Sequence, residues 1–388
     1  MNGGEKWAMP VAELERRRDG LLKWMDEAGV AVTVIIDAAN LVYLSGIDIG
    51  GRLRGRAMVI AADGKHFFVT RSLERYWHEH WQTRTWCRDW ALHEDTETLA
   101  DALIRLAKSL CPGTIGRIGM DMTGLSPTVS FADAGRIAAV ADDAVDANTC
   151  LTVLRRIKST PERLALRRAG EISMEGAAAA AAAIHDGASG AEATAAAFRA
   201  IVGCEGSQSP ISGPHVTSGP RTAMAHSTWN HAKPADGDCV VFVMTGTCQR
   251  YSTPIEWTVT RGEPSPARAD LLATCTRASE AVLDGLKPGM SSHDGDLLCR
   301  RVIEDAGVSK YFMNRTAYGI GQSYGSWMES LVQLKPGDDT EIEPGMTMHV
   351  VPALHVPGHG FLIRTLAIEV TQTGCQSLRP PPRFASVL

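Results

Sequence analysis

The 388-residue chain lacks a C-x-x-C pair among its nine cysteines, any run of about 18 apolar residues, and a surplus of positive charge. The first absence excludes a zinc ribbon. The second excludes a membrane-spanning helix. The third, 39 basic against 44 acidic residues for a net charge of −5, leaves no basic face for a phosphate backbone. No nucleic-acid or membrane partner is therefore expected. Residues 1–7 lack the apolar stretch of a signal peptide, and the cysteine count is odd. A cytoplasmic protein with reduced thiols is the expectation. What remains is ordinary globular composition, 44% hydrophobic and 21% charged, in a chain long enough for two domains.

The first part of the chain alternates helical and extended patterns. Residues 12–27 carry Leu14, Leu21, Leu22 and Met25 near helical spacing, and Gly29 stops them. Residues 30–36 are a β-branched run, and residues 41–46 and 57–61 read as further strands. Residues 65–70 follow the Asp63-Gly64 turn as the second arm of a hairpin. A helix over 96–110 and a strand over 115–121 complete an α/β layered pattern.

A boundary falls near residue 155. Beyond it, Ser159-Thr160-Pro161-Glu162 is a helix start, with a capping hydroxyl, proline in the first turn and an acid at the positive dipole end. The helix runs to about residue 184 through the alanine-rich stretch 177–183, and His185-Asp186-Gly187 stops it. A second long helix covers 267–286. Pro288-Gly289-Met290 and Pro344-Gly345-Met346 repeat one turn, which hints at an internal duplication.

Four segments stand in a telling order. They are Arg156-Ile157-Lys158-Ser159 with Pro161-Glu162, then Pro234-Ala235-Asp236-Gly237-Asp238, then Gly319-Ile320-Gly321-Gln322, then the Pro344-Gly345-Met346 entry to the last strands. Together they resemble the creatinase/aminopeptidase P family across essentially the whole chain. The resemblance implies an α+β protein: a creatinase N-terminal-like α/β domain over 1–155, then a pita-bread catalytic domain, a duplicated α+β unit, over 156–388. Tyr251-Ser252-Thr253-Pro254-Ile255-Glu256-Trp257-Thr258 is similar to the creatinase strand that carries an active-site glutamate. The stretch over 334–352 is more similar to ectoine hydrolases. Both relatives hydrolyse a non-peptide C–N bond in a small zwitterion.

Aminopeptidases of this family hold two divalent metals through two Asp, one His and two Glu. Those positions fall here on Val243, Pro254, Gln322, Val351 and within Ile363-Arg364-Thr365. Valine and proline offer no donor atom, so neither metal nor cofactor is expected. His78-Glu79-His80 lacks the H-E-x-x-H spacing, and His355 and His359 sit in a Pro-Gly segment; all read as surface histidines.

The same resemblance nominates the site. His226 matches the creatinase catalytic histidine, and an imidazole takes a proton from water and returns it to a leaving nitrogen. Glu256 matches the glutamate that grips the substrate's cationic part. Arg54 matches an N-domain arginine that a partner subunit donates to a substrate carboxylate, which implies a homodimer. Tyr251, Gln322, Trp327, Glu329 and His349 are expected to line the substrate pocket, with Trp229 and Trp257 as further aromatic candidates. Val351 departs from creatinase and Val243 from the ectoine hydrolases, so neither creatine nor ectoine is implied as substrate. The implied activity is metal-independent hydrolysis of a C–N bond in a small polar metabolite. A lyase or cyclase on the same fold, or an inactive binding protein, are the alternatives.

Overall fold

Apolar residues three and four apart wind Val11–Ala28 into helix α1, which buries Leu14, Leu21 and Met25 and ends at Gly29 with φ 64°. It opens the N-terminal unit, Met9–Arg155. The computed structural model describes residues 7–49, 55–121, 129–209, 212–382 and 384–388, so Arg54 lies outside the described residues. After α1 come β1 (Val32–Ile35), α2 (Ala38–Ser45), β2 (Ala57–Ala61), β3 (His66–Arg71), α3 (Trp77–Trp81) and β4 (Trp90–His93). Then follow α4 (Leu99–Leu110), β5 (Ile115–Met120), α5 (Phe131–Ala138), β6 (Ala141–Asp146) and α6 (Asn148–Arg156). The strands form one six-stranded sheet in the order β4-β3-β2-β1-β5-β6. β2 and β3 are the expected hairpin, antiparallel with Ala57 opposite Val69.

One element corrects the sequence reading. Residues 41–46, expected as a strand, belong to helix α2. The side chain of Asp37 accepts from the amides of Ala39 and Asn40 at 2.9 and 3.0 Å, which starts a helix, and Gly46 closes it at φ 73°. A short, wholly apolar run has no period to betray its type, and the caps decide it.

The C-terminal unit takes in Arg156–Leu388 together with Trp7 and Ala8. It begins with α7 (Thr160–His185), whose capping box pairs Ser159 with Glu162 and whose first turn holds Pro161. α8 (Gly190–Gly203), β7 (His215–Ser218), β8 (Cys239–Cys248) and β9 (Tyr251–Thr260) follow. The buried alanines Ala177, Ala180 and Ala181 let α7 pack closely, and a β-carbon at Gly246 of β8 would sit 2.2 Å from the carbonyl oxygen of Ala169. Glycine is therefore required where helix and strand backbones meet.

The second half repeats the plan with α9 (Pro266–Gly285) and α10 (Ser292–Asp305), then β10 (Ala317–Ile320), β11 (Met328–Leu334), β12 (Thr347–Val350) and β13 (Ala353–Val356). It closes with β14 (Gly360–Ile363), β15 (Leu366–Val370) and β16 (Cys375–Ser377). A helix pair followed by antiparallel strands thus occurs twice, the duplicated α+β pattern of the pita-bread fold. The two Pro-Gly-Met turns do not mark equivalent points of that repeat. Both lie in the second half, where the Gly289 amide donates to Ile342 O and the Ile342 amide to Met290 O, each at 2.9 Å. The sheets β7-β8-β9 and β11-β10-β12-β15-β16 are tied by the bridges Tyr251–Gln322 and Trp257–Arg364.

Candidate active site

A cleft of about 800 Å³ opens in the C-terminal unit between β8, β9, β10, the β13–β14 hairpin and the turn after β7. Its walls follow the two-residue period of strands. Val241 and Val243 of β8, Ala353 and His355 of β13, and Phe361 and Ile363 of β14 all face it. Ala353 lies opposite Ile363, and His355 opposite Phe361. Val243 lies opposite Glu256 of β9.

Glu256 is the acid of this apolar floor. Its main chain is fixed by Thr365, whose hydroxyl accepts from the Glu256 amide at 3.0 Å and whose amide donates to Glu256 O at 3.1 Å. Its carboxylate meets no cation among the described residues. Burial without compensation pushes its pKa up to about 7. Trp257 points to the opposite face, with the Arg364 and Arg379 guanidinium carbons 4.5 and 5.4 Å from its ring centroid. The aromatic wall expected from Trp257 is absent for that reason. Trp229 is 44% exposed and stacks on His215 rather than lining the cleft.

His226 lines the cleft from the turn after β7. Its backbone sits at φ 61°, in the left-handed region that non-glycine residues seldom adopt. Such strain persists where its surroundings enforce it. Here the neighbouring Ser227 carbonyl accepts from the Thr217 hydroxyl at 2.8 Å, and the Ser227 amide donates to Met224 O at 3.2 Å. His355, read from sequence as a surface residue, is instead half-buried on the cleft wall, its ring centroid 4.5 Å from that of Phe361. Burial first, and the charge of His226 second, hold its pKa below the usual imidazole value. Two imidazoles thus share one cleft. The available signal was alternation: 351, 353 and 355 share a face.

Trp327 and Tyr318 also line the cleft, and Tyr318 was not among the sequence candidates. The Trp327 indole N–H donates to the Tyr318 oxygen at 2.8 Å, and that oxygen lies 2.8 Å from His349 Nδ1. The indole can only donate, so the phenol proton is free for the lone pair on Nδ1. His349 itself is fully buried behind Tyr318, and burial, then the charge of Arg379, pushes its pKa down to about 3. His349 therefore corrects the sequence expectation: it is a neutral support for Tyr318, not a wall of the cleft or a proton donor.

Tyr251, Gln322 and Glu329 form a different cluster. The Tyr251 hydroxyl donates to Glu162 Oε1 at 2.8 Å. Lys158 Nζ meets Glu329 Oε2 at 2.6 Å, and the Gln322 amide donates to Glu329 Oε1 at 3.0 Å. None of the three lines the cleft. The Tyr251 and Glu329 side chains anchor the approach to α7, the Gln322 side chain donates to Gln249 O at 3.4 Å, and the expectation of pocket contacts is corrected accordingly. Glu329→Ala strands a buried ammonium and should cost about 3–5 kcal/mol of stability. Chemical denaturation checks it, and a loss below about 1 kcal/mol would contradict the ion pair's structural role.

The family's peptidase metal site does not fit these residues. Val243, opposite Glu256, and Val351 and Ile363 on the same cleft have side chains that carry no donor atom. Among the described residues no group of three or more His, Cys, Asp or Glu is arranged to hold an ion.

Comparison with known proteins places this geometry. The metallopeptidase family M24 matches residues 165–372, and the Creatinase/Prolidase N-terminal domain matches residues 17–157. An ectoine hydrolase of Halomonas elongata is 31% identical over 256 residues, covering 61% of this chain and 61% of that protein. A Xaa-Pro dipeptidase of Pyrococcus furiosus is 24% identical over 230 residues, covering 59% of this chain and 65% of that protein. These matches span less than two thirds of either relative. The crystal structure of dipeptidase PepE from Mycobacterium ulcerans superposes with a TM-score of 0.82 at 25% identity, covering 98% of this chain and 99% of that one.

Proposed function

The chain belongs to the metallopeptidase family M24, and on that premise we propose that it hydrolyses a non-peptide C–N bond in a small polar or zwitterionic metabolite without a metal. The observation that carries this reading is a cleft that Val243, Val351 and Ile363 line together with one acid, Glu256, and with His226 and His355. A dinuclear peptidase centre needs oxygen and nitrogen donors where those aliphatics stand. The similarity to an ectoine hydrolase supports a C–N substrate, and the similarity to dipeptidases names the competing one.

In this reading Glu256 holds the cationic end of the substrate. Water adds to the amide or amidine carbon while His226 takes one of its protons. The C–N bond breaks as an imidazolium returns that proton to the leaving nitrogen, and His355 is the second imidazole within the cleft. The proposal includes a cytoplasmic homodimer, with Arg54 of a partner subunit offered to the site.

Chelator-treated protein tested on amides and cyclic amidines in oxygen-18 water checks it. Labelled product should form at a rate within about twofold of untreated protein, since no metal is being removed from the chemistry. Manganese-dependent cleavage of Xaa-Pro dipeptides would overturn the reading in favour of a peptidase. Unlabelled product would favour elimination or cyclisation.

A further inference from the structure

Two opposite charges face the same cleft, and among the described residues neither meets a group of opposite charge. Arg315, just before β10, lines the cleft with Glu256. Its guanidinium lies 5.0 Å from the Tyr318 ring centroid and donates to the Met328 sulfur at 2.8 Å. Its Nε is buried with no acceptor, and no carboxylate meets the group among the described residues. A surface arginine with nothing to bind extends into water. This one is folded inward onto an aromatic ring, at the desolvation cost of an N–H left unanswered.

Tyr318 is the spacer between the two charges. Arg315 stacks on its ring, while the nearby Glu256 and the Arg315 charge act on its phenol in opposite senses, beneath the larger effect of burial. The two ends are not bridged to each other, so a ligand with only one charge would leave the other unanswered.

We propose that Arg315 is the anion anchor of the cleft, so that the substrate is a zwitterion whose carboxylate sits on Arg315 while its cationic nitrogen sits on Glu256. This deepens the hydrolase reading, on which it rests for the choice of occupant. It assigns the carboxylate to the same chain that carries Glu256. A guanidinium fork suits a carboxylate in two parallel hydrogen bonds. Arg315 is thus a specificity-determining residue rather than a catalytic one.

The test is binding, measured by calorimetry on the intact protein, and needs no turnover. The probes are ω-guanidino acids from guanidinoacetate to 5-guanidinopentanoate, each against the alkylguanidine of equal length. At least one acid should bind about 10- to 100-fold more tightly than its alkylguanidine, the range of a charge-assisted pair. Arg315→Gln should erase that difference, with no fall in alkylguanidine affinity. Arg315→Lys, which keeps the charge and loses the fork, should fall between. Circular dichroism verifies that each variant is folded. The proposal is overturned if no acid outbinds its alkylguanidine, or if Arg315→Gln preserves the preference. Binding without any hydrolysis of C–N substrates would instead sink the hydrolase reading and leave Arg315's role standing.

Discussion

His226→Ala lowers kcat by about 10²- to 10⁴-fold, the contribution of a positioned proton-transfer group. The fold should survive, because the side chain is exposed to the cleft and supports no core contact. Glycine at this position sharpens the test. The φ of 61° costs an alanine strain that a glycine does not feel, so His226→Gly should be at least as stable as His226→Ala and equally inactive. Steady-state rates and thermal melts on the two variants separate lost chemistry from lost structure. Either variant retaining more than about a tenth of wild-type turnover would remove the imidazole from the mechanism.

Glu256→Gln moves activity and stability in opposite directions. The amide cannot answer a cation, and kcat/KM should fall by about 10²- to 10³-fold, the cost of unpairing a desolvated charge. The folded protein, however, gains. The Glu256 pKa lies at about 7 in place of 4.5. The folded state therefore holds its proton more tightly than the unfolded chain does, so stability is fullest below pH 4.5 and falls as pH rises to about 7. Above that window the ionised carboxylate costs about 1–3 kcal/mol, allowing for its partial access to solvent, and glutamine removes the cost. The melting temperature of Glu256→Gln should exceed that of wild type at pH 8 and match it at pH 4. Equal melting temperatures at both would show that Glu256 is well solvated and unfit to grip a cation. The same linkage predicts that cationic ligands bind more tightly as pH rises through about 7, because only the ionised form attracts them.

Much of this arrangement was legible before any coordinates. The capped start of α7 and the β2–β3 hairpin follow from residue chemistry and order, and the aliphatic residues at the family's metal positions are what the resemblance implies. The cleft brings together His226 and Glu256, nominated by resemblance, and Trp327, nominated by its place in the sequence beside a candidate residue. What resemblance supplies is a position, not the direction of a side chain. Tyr251 and Glu329 lie near the site in sequence order but point to the start of α7, Gln322 turns to the Gln249 carbonyl, and His349 stops one layer short, behind Tyr318. His355 reads from sequence as a surface histidine, and Arg315 is passed over, for the complementary reason. Each is an isolated polar residue whose face is fixed only once the strand registers and the course of the loop before β10 are known. The helix over Ala38–Ser45 shows the limit of periodicity in a short apolar run.

The cross-strand pairing of Val243 with Glu256 shapes what descent can do with this protein. A lone aspartate introduced at 243 would set like charges side by side on an oily floor, weakening the fold before any cation is captured. A useful dinuclear centre would require further donors at Val351 and Ile363 at the same time. No single substitution at these positions supplies both the donors and a stable floor, so capture of a metal pair here is an all-or-nothing change.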